Sequence, residues 1–524
     1  MLKQRRQKQT SSRNRPENTV SPSFGALHKS RDLLRMDVGM TIDELLSLLP
    51  DATLLSGSPN LAISSVVVDS RAAGPGSLFC CIPGTADDGH RYAQSAIERG
   101  AQAILTEYPA DLRGIEQVAE IRVPVGDARR SMAILSAVVV GRPADQLTMV
   151  GVTGTNGKTT VAHLVGEILA AQGFATTVIG TLTGTRTTPP APELHEMLAG
   201  ARSVAASLGV RGAVAMEVSS HALDQDRVFG VEFDVAIFTN LTHDHLDYHV
   251  TMEAYFEAKA RLFDEASARW AVIWSETSEG QALLERRGTS QTSVGWGDAE
   301  DLLINRDGTR FVWRGQQVST GLLGRVNVIN TLLAAEAAVA LGLEPEAIAS
   351  SLEGLPAISG RMEVVPGFPE SPLVIVDYAH TPDALAGALR EARQLAGSGR
   401  VVVVFGCGGE RDAAKRPMMG RTSSELADVV VITDDNPRSE DPSSIRSDIT
   451  SGVTGGAEVT VVADRRQAIA SAIRNAAVGD VVLIAGKGHE TAQVSGSTTV
   501  SFDDRNVAAV IMAELQDEAG DAQC

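Results

Sequence analysis

Short runs of Val, Ile, Ala and Phe recur along the chain between longer amphipathic stretches, the pattern of strands separated by helices. Between about 41 and 145, segments 65–69, 77–82 and 101–106 read as strands and 91–99 as a helix. From residue 148 the strand-like runs lose their alternation. Met149-Val-Gly-Val, Ala213-Val-Ala-Met-Glu-Val, Phe233-Asp-Val-Ala-Ile-Phe and Ala271-Val-Ile-Trp are apolar throughout, as in a mostly parallel sheet covered on both faces. After a turn-rich break at 356–360 a second such series follows: Leu373-Val-Ile-Val, Val401-Val-Val-Val-Phe, Val429-Val-Val-Ile and Val481-Val-Leu-Ile. The expected fold class is α/β in three domains, at 41–145, 146–357 and 358–518.

Residues 1–40 stand apart. The first 35 carry nine Lys or Arg against two acids and have no apolar stretch of the kind a secretory signal needs. They read as a disordered basic tail or an over-long start, with an acidic partner as the alternative use. The periodic pattern begins at Thr41-Ile-Asp-Glu-Leu-Leu, just after Met36 and Met40.

Composition narrows the function. A chain of 524 residues, 43% hydrophobic, has enough apolar material for several packed cores. Its apolar strings, such as 133–140, are strand-sized and far short of the ~18 residues that span a bilayer. A net charge of −19 and only 4% aromatic residues argue against nucleic acid as partner. Cys80, Cys81, Cys407 and Cys524 have neither metal-ligand spacing nor disulfide density, so a reducing, cytoplasmic compartment is expected.

Gly151-Val-Thr-Gly-Thr-Asn-Gly-Lys-Thr-Thr follows a predicted strand and opens a predicted helix at 161–172, the setting of a phosphate loop. Gly154 and Gly157 permit tight turns, so that the backbone N–H groups of Gly154, Thr155, Asn156 and Gly157 face phosphate oxygens. Lys158 reaches the terminal phosphates, Thr159 ligates Mg²⁺ and Thr160 continues the helix. Val152 stands where a full G-x-x-x-x-G-K-[ST] motif has its first glycine. These features predict an ATP or GTP site, with ATP as co-substrate in a central P-loop ATPase domain or GTP in its place, ahead of a Rossmann-like C-terminal domain. Glu217 ends an apolar strand, at the edge where open α/β sheets bind ligands, and suits a second Mg²⁺ contact. The neighbouring strand ends in Thr239-Asn-Leu-Thr-His-Asp-His-Leu-Asp-Tyr-His. Three histidines there also suit zinc, although cysteine partners are absent and acids are interleaved.

The Gly-Thr-Asn-Gly-Lys-Thr loop, Glu217-Val-Ser-Ser-His, Asn240-Leu-Thr-His-Asp-His-Leu-Asp-Tyr-His and Asp377-Tyr-Ala-His-Thr-Pro-Asp together resemble the Mur ligases of peptidoglycan synthesis. The likeness runs from about 41 to 515 and is closest to the members that add the third stem-peptide residue. It implies ATP-dependent acyl-phosphate formation on UDP-MurNAc-L-Ala-D-Glu, followed by attack of an amine. Lys158, Glu217, His245 and Lys259 are then the implied catalytic residues. The implied Mg²⁺ ligands are Thr159, Glu217, His245 and a carbamylated Lys259. Asn330, Asp377 and His380 join the ATP contacts, and Arg361 nears the phosphates once the third domain closes. The UDP-linked substrate is implied to meet Val68, Ser70, Thr85, Ala86, Asp87, Thr187, Thr188, Ser219, Gln225 and Arg227. Arg186 and Val326 depart from the family pattern, which has Asn or an apolar residue at the first and Phe at the second.

Asp435-Asn-Pro-Arg follows the strand at 429–433 and resembles the motif of members that add meso-diaminopimelate. A guanidinium at Arg438 suits the extra carboxylate of that amino acid. Arg411, Asp435, Asn436, Pro437, Gly486 and Glu490 complete the implied pocket, with Glu490 on the distal ammonium. A lysine-adding ligase and a folylpolyglutamate synthase-like ligase are the alternatives, and a monomer is expected. Lys259 itself lies on a predicted helix at 251–263, capped by Thr251, with Tyr255, Phe256, Leu262 and Phe263 on its face. Periodicity alone suggests a lysine snorkelling to solvent. The resemblance implies instead a buried amine that adds CO₂.

Overall fold

In the computed structural model the described residues are 39–523, apart from 85–86, 111–117, 185, 265, 288–289, 307 and 356. The basic tail, Thr85, Ala86, Pro356 and Cys524 therefore lie outside them. Three large sheets follow one another along the chain, as the hydrophobic pattern requires. In the first, the order is Thr53–Ser56, Ala119–Arg122, Ala103–Thr106, Ser77–Cys80, Ser65–Val67, parallel except for the antiparallel Thr53–Ser56 edge. Cys80 and Cys81 project into different cores on its two sides.

The six-stranded central sheet is parallel throughout, in the order Gln291–Val294, Ala268–Trp274, Phe233–Phe238, Thr148–Thr153, Gly212–Glu217, Ala175–Ile179. Thr148–Thr153 is flanked by strands reached in opposite directions, a topological switch point where loops part and leave a crevice. Register aligns Val152 with Glu217 and Thr153 with Phe238, so three motif-bearing loops leave one edge side by side. Apolar side chains on both faces explain the unbroken apolar runs: Val150 and Val152 pack on one side, Met149 and Phe233 on the other. The third sheet has the order Glu363–Val365, Leu373–Asp377, Val481–Ala485, Val401–Phe405, Val429–Ile432, Glu458–Val461, with the first pair antiparallel.

Several elements differ from the reading of the pattern. The helix expected at 161–172 begins three residues earlier and spans Lys158–Ala171, because Gly157 at φ 87° turns the chain directly into it. The helix expected at 251–263 is Met252–Ala260 followed by a 3₁₀ turn, Arg261–Phe263, with Thr251 as its cap as expected. The string at 133–140 is the buried side of the helix Ala128–Val139. An antiparallel sheet of Glu300–Asn305, Gly308–Trp313 and Gln316–Thr320 was not anticipated. Its strands mix charge with Phe311, Trp313 and Val318, which are buried in the core, while Leu302 and Ile304 pack half-buried against it.

In the third unit Arg465 and Asp504 form an ion pair at 2.7 Å, both side chains fully buried. Arg465 also donates to the Ala485 carbonyl at 2.9 Å. Removing one partner strands a desolvated charge, so Asp504→Ala is expected to cost about 3–5 kcal/mol, whereas joint replacement by Met and Leu costs far less. Denaturant unfolding of the two variants checks the difference.

Candidate active site

The loop 154–157 is shaped from behind by the adjacent strand end. The Thr155 N–H donates to the Asn240 carbonyl at 2.9 Å, and the Asn156 N–H to Asn240 Oδ1 at 2.9 Å. Asn240 Nδ2 and Thr239 Oγ1 both donate to the Asn156 carbonyl, at 3.2 and 2.6 Å. Gly154 at φ 146° lies so close that a Cβ would stand 1.9 Å from Thr239 Oγ1, and one on Gly157 2.5 Å from Asn330 Oδ1. Neither position tolerates a side chain. Asn330 is thus buried behind the loop, held by a 3.0 Å bond from its Nδ2 to Asn327 Oδ1. Thr160 is buried in the first helical turn.

Cations converge on this loop. Lys158 Nζ donates to the carbonyls of Gly154 and Thr155 at 2.9 and 2.8 Å, and Lys259 Nζ to Gly154 at 2.8 Å. From the third sheet's unit, Arg361 Nη2 donates to Thr159 Oγ1 at 3.0 Å. Lys259 is 1% exposed and lies over the Tyr255 ring at 4.6 Å. Burial, then the neighbouring Lys158 charge, hold its pKa well below the ordinary lysine value. Burial lowers Lys158 as well, opposed by Glu217 and Asp244.

Glu217, 2% exposed, is gathered with Thr159: Thr159 Oγ1 donates to Oε1 at 3.0 Å, and the Thr181 N–H at 2.7 Å. Among the described residues no three His, Cys, Asp or Glu side chains gather to hold a metal ion, so the zinc alternative has no support. A hydroxyl and a single carboxylate at the mouth of a phosphate-sized cradle do fit Mg²⁺, which keeps waters and draws its other ligands from phosphate. His245, at φ 54° and 45% exposed, faces His221 and Tyr255 at ring distances of 4.9 and 6.0 Å. Burial lowers its pKa, and that of His221 falls to about 4 through desolvation and then the two neighbouring histidines.

The residues expected to meet the UDP-linked substrate fall into two groups. Thr188, Ser219, Gln225 and Arg227 do come together: the Ser219 N–H donates to Thr188 Oγ1 at 3.0 Å, and Arg227 bonds the Thr188 carbonyl at 2.7 Å and Gln225 Oε1 at 2.8 Å. Thr187 Oγ1 lies 3.2 Å from Thr181 Oγ1. Among the described residues Arg227 forms no ion pair; burial, then Arg186 and Arg129, lower its pKa. Val68, Ser70 and Asp87 lie in the first unit, where Asp87 accepts a short hydrogen bond from Tyr92.

In the third unit Asp377 accepts the N–H groups of Met362 and Ala379, each at 2.8 Å. His380 Nδ1 donates to the Tyr378 carbonyl at 2.9 Å, leaving Nε2 as an acceptor, and burial beside Lys415 lowers its pKa to about 4. Asp435, Asn436 and Pro437 are buried beneath Arg438, which adopts φ 53° and donates to the Gly409 carbonyl at 2.6 Å. Asn436 Nδ2 donates to Glu490 Oε2 at 2.7 Å, and Gly486 packs against Asp435. Arg411 is exposed, with its stem bordering Gly408 beside Arg438. Thr181, His221, Tyr255, Asn240 and Tyr378 went unassigned, although all but Thr181 and Tyr255 lie inside the motif strings already singled out.

Between His245 and the Lys259 helix, the Thr251 N–H donates to the His249 carbonyl at 2.8 Å around Val250, at φ 67° and ψ −46°. This is the rare, strained γ-turn, centred on a β-branched residue that is 77% exposed. Val250→Gly is expected to stabilise the fold by about 1–3 kcal/mol. A rise in Tm in thermal unfolding checks it.

Comparison with known proteins accounts for this arrangement. Family models match three successive stretches: the Mur ligase catalytic domain over 62–139, the Mur ligase middle domain over 152–338 and the Mur ligase glutamate ligase domain over 360–488. The UDP-N-acetylmuramoyl-L-alanyl-D-glutamate–2,6-diaminopimelate ligase of Synechococcus elongatus is 43% identical over 479 residues, covering 87% of this chain and 95% of the relative. That of Geobacillus kaustophilus is 42% identical, covering 91% and 100%. A solved structure of a protein with the same name superposes with a TM-score of 0.63 at 30% identity, over 91% of this chain and all of the other. The chain belongs to the Mur ligase family, and its three-unit α/β architecture is that of the family. Within it, the chain sides with the MurE branch.

Proposed function

We propose that the protein is the ATP-dependent ligase that joins meso-diaminopimelate to UDP-MurNAc-L-Ala-D-Glu in cytoplasmic peptidoglycan precursor synthesis. The relatives' names support the substrates, and no described helix is long and apolar enough to cross a membrane. The observation that carries the reading is the convergence of Lys158 and Arg361 on one loop beside Glu217, with the buried Lys259 amine bonded to the Gly154 carbonyl. Such an excess of desolvated positive charge suits a polyphosphate and a carboxylate that must approach one another.

In this reading domain boundaries fall near 145 and 357. The central domain supplies a P-loop in 154–160, and a Rossmann-like third domain supplies the amino acid. A D-Glu carboxylate oxygen attacks the γ-phosphorus of ATP, and ADP leaves. The amine of diaminopimelate then attacks the acyl carbon, losing a proton as phosphate departs. Lys158 and Arg361 neutralise the oxygens that gain charge. Thr159 and Glu217, joined by His245, would hold Mg²⁺, which would supply further charge neutralisation. Asn330, Asp377 and His380 border the nucleotide. Thr188, Ser219, Gln225 and Arg227 take the UDP-linked dipeptide, with Val68, Ser70 and 85–87 toward its uridine end. The function is tested by nucleotide turnover: ADP release that requires both the UDP-dipeptide and diaminopimelate supports it, and turnover without either supports a simple NTPase.

Arg438, at the rim of the third-domain pocket, grips the second carboxylate of diaminopimelate, with Arg411, Asp435, Asn436, Pro437, Gly486 and Glu490 around it. Arg438→Ala is expected to lose most of the preference for diaminopimelate over lysine, about 1.5–3 kcal/mol for a charge-assisted hydrogen bond. Competition kinetics with the two amino acids reads the change; equal use of lysine by the unaltered enzyme would contradict the assignment.

Lys259 is carbamylated in this reading. Its buried neutral amine attacks the carbon of CO₂ and releases a proton, so that a carbamate anion replaces a neutral amine beside Lys158. Lys259→Ala is expected to abolish nearly all ligation, with partial recovery in acetate or formate. Full activity of the variant without added acid would reduce Lys259 to a packing residue.

A further inference from the structure

Beneath the third-domain pocket lies a second lysine that the mechanism above does not use. The Lys487 side chain is fully buried. Its ammonium spends all three protons on the protein: Asn436 Oδ1 at 3.2 Å, Glu490 Oε2 at 3.2 Å and the Ala492 carbonyl at 2.7 Å. Asn436 closes the triangle by donating Nδ2 to the same Glu490 Oε2 at 2.7 Å while its Oδ1 also accepts the Val494 N–H at 3.0 Å. The Glu490 side chain remains 34% exposed, and its Oε1 has no partner among the described residues. One carboxylate oxygen is therefore fixed from below by two donors, and the other is presented to the pocket.

The same contacts reach Arg438. The hairpin that starts at Ala492 accepts the Arg438 N–H at the Val494 carbonyl, 3.1 Å away, and its Gly496 N–H donates to the Arg438 carbonyl. An apolar residue of similar length would fill the Lys487 site at lower desolvation cost, so stability alone does not explain a buried ammonium there. Orientation of a carboxylate does.

We propose that Lys487 is a positioning residue of the amino-acid pocket: it acts through Glu490, locking that carboxylate in the rotamer that receives the distal ammonium of the incoming diamino acid. The inference rests on the reading of this pocket as the diaminopimelate site. Without Lys487, Glu490 keeps only the Asn436 contact and turns toward solvent.

The test is steady-state kinetics on the full-length enzyme carrying Lys487→Met, Glu490→Gln or both. Lys487→Met is expected to raise KM for diaminopimelate about tenfold or more, with KM for ATP and for the UDP-dipeptide within about twofold of the parent. The double variant is expected to be no worse than Glu490→Gln alone, because both changes remove one interaction. Independent multiplication of the two effects, or an equal rise in all three KM values, overturns the inference while leaving the pocket reading intact. An unchanged diaminopimelate KM in Glu490→Gln overturns the pocket reading, and this inference with it. Should Lys487→Met not fold, Lys487→Gln, which keeps a donor without the charge, is carried through the same comparisons.

Discussion

The architecture depends on keeping like charges close together out of water. Lys158 and Lys259 share the Gly154 carbonyl, and Arg361 reaches in from another sheet to Thr159. Each depresses or is depressed by its neighbours, and burial depresses both lysines further. Such an arrangement survives only where the surrounding fold over-determines it. The two glycines packed against Thr239 and Asn330, and the Asn240 side chain bonded to both ends of Asn156, do this work. A ligand rich in negative charge relieves the repulsion, which couples the binding of nucleotide to the contact between domains.

Arg361 bears directly on how the domains meet. Charge at the phosphate loop calls for the third domain to swing inward on binding. In this structure the Arg361 guanidinium already bonds Thr159 and lies over the Tyr378 ring at 4.5 Å, so the two surfaces touch. Asp377, next to Tyr378, accepts the Met362 N–H at 2.8 Å, so this contact is continuous with the third sheet.

Much of this was legible in the sequence because it is written in contiguous strings at strand ends. The Gly154 loop, Glu217, the Thr239–His249 stretch and Asp435–Arg438 each announce a turn between an apolar run and a helix, and parallel pairing brings such turns to one edge. Contacts between distant segments were not legible. Nothing local distinguishes Lys487 or Arg465 from a solvated surface cation, since their burial is set by a hairpin and a helix further along. The strained turn at Val250 has no glycine to mark it, and the sheet at 300–320 hides three core residues among charged ones.

In the proposed reaction Lys158 and Arg361 serve the transfer of a phosphoryl group to a carboxylate. Labelling both oxygens of the D-glutamyl γ-carboxylate of the UDP-dipeptide with ¹⁸O, then running one round of ligation, tests it most directly. Attack of that carboxylate on phosphorus followed by displacement by the amine carries one labelled oxygen into inorganic phosphate. Mass spectrometry of the phosphate is expected to find one ¹⁸O per peptide bond formed. Unlabelled phosphate accompanying full ligation would contradict the account.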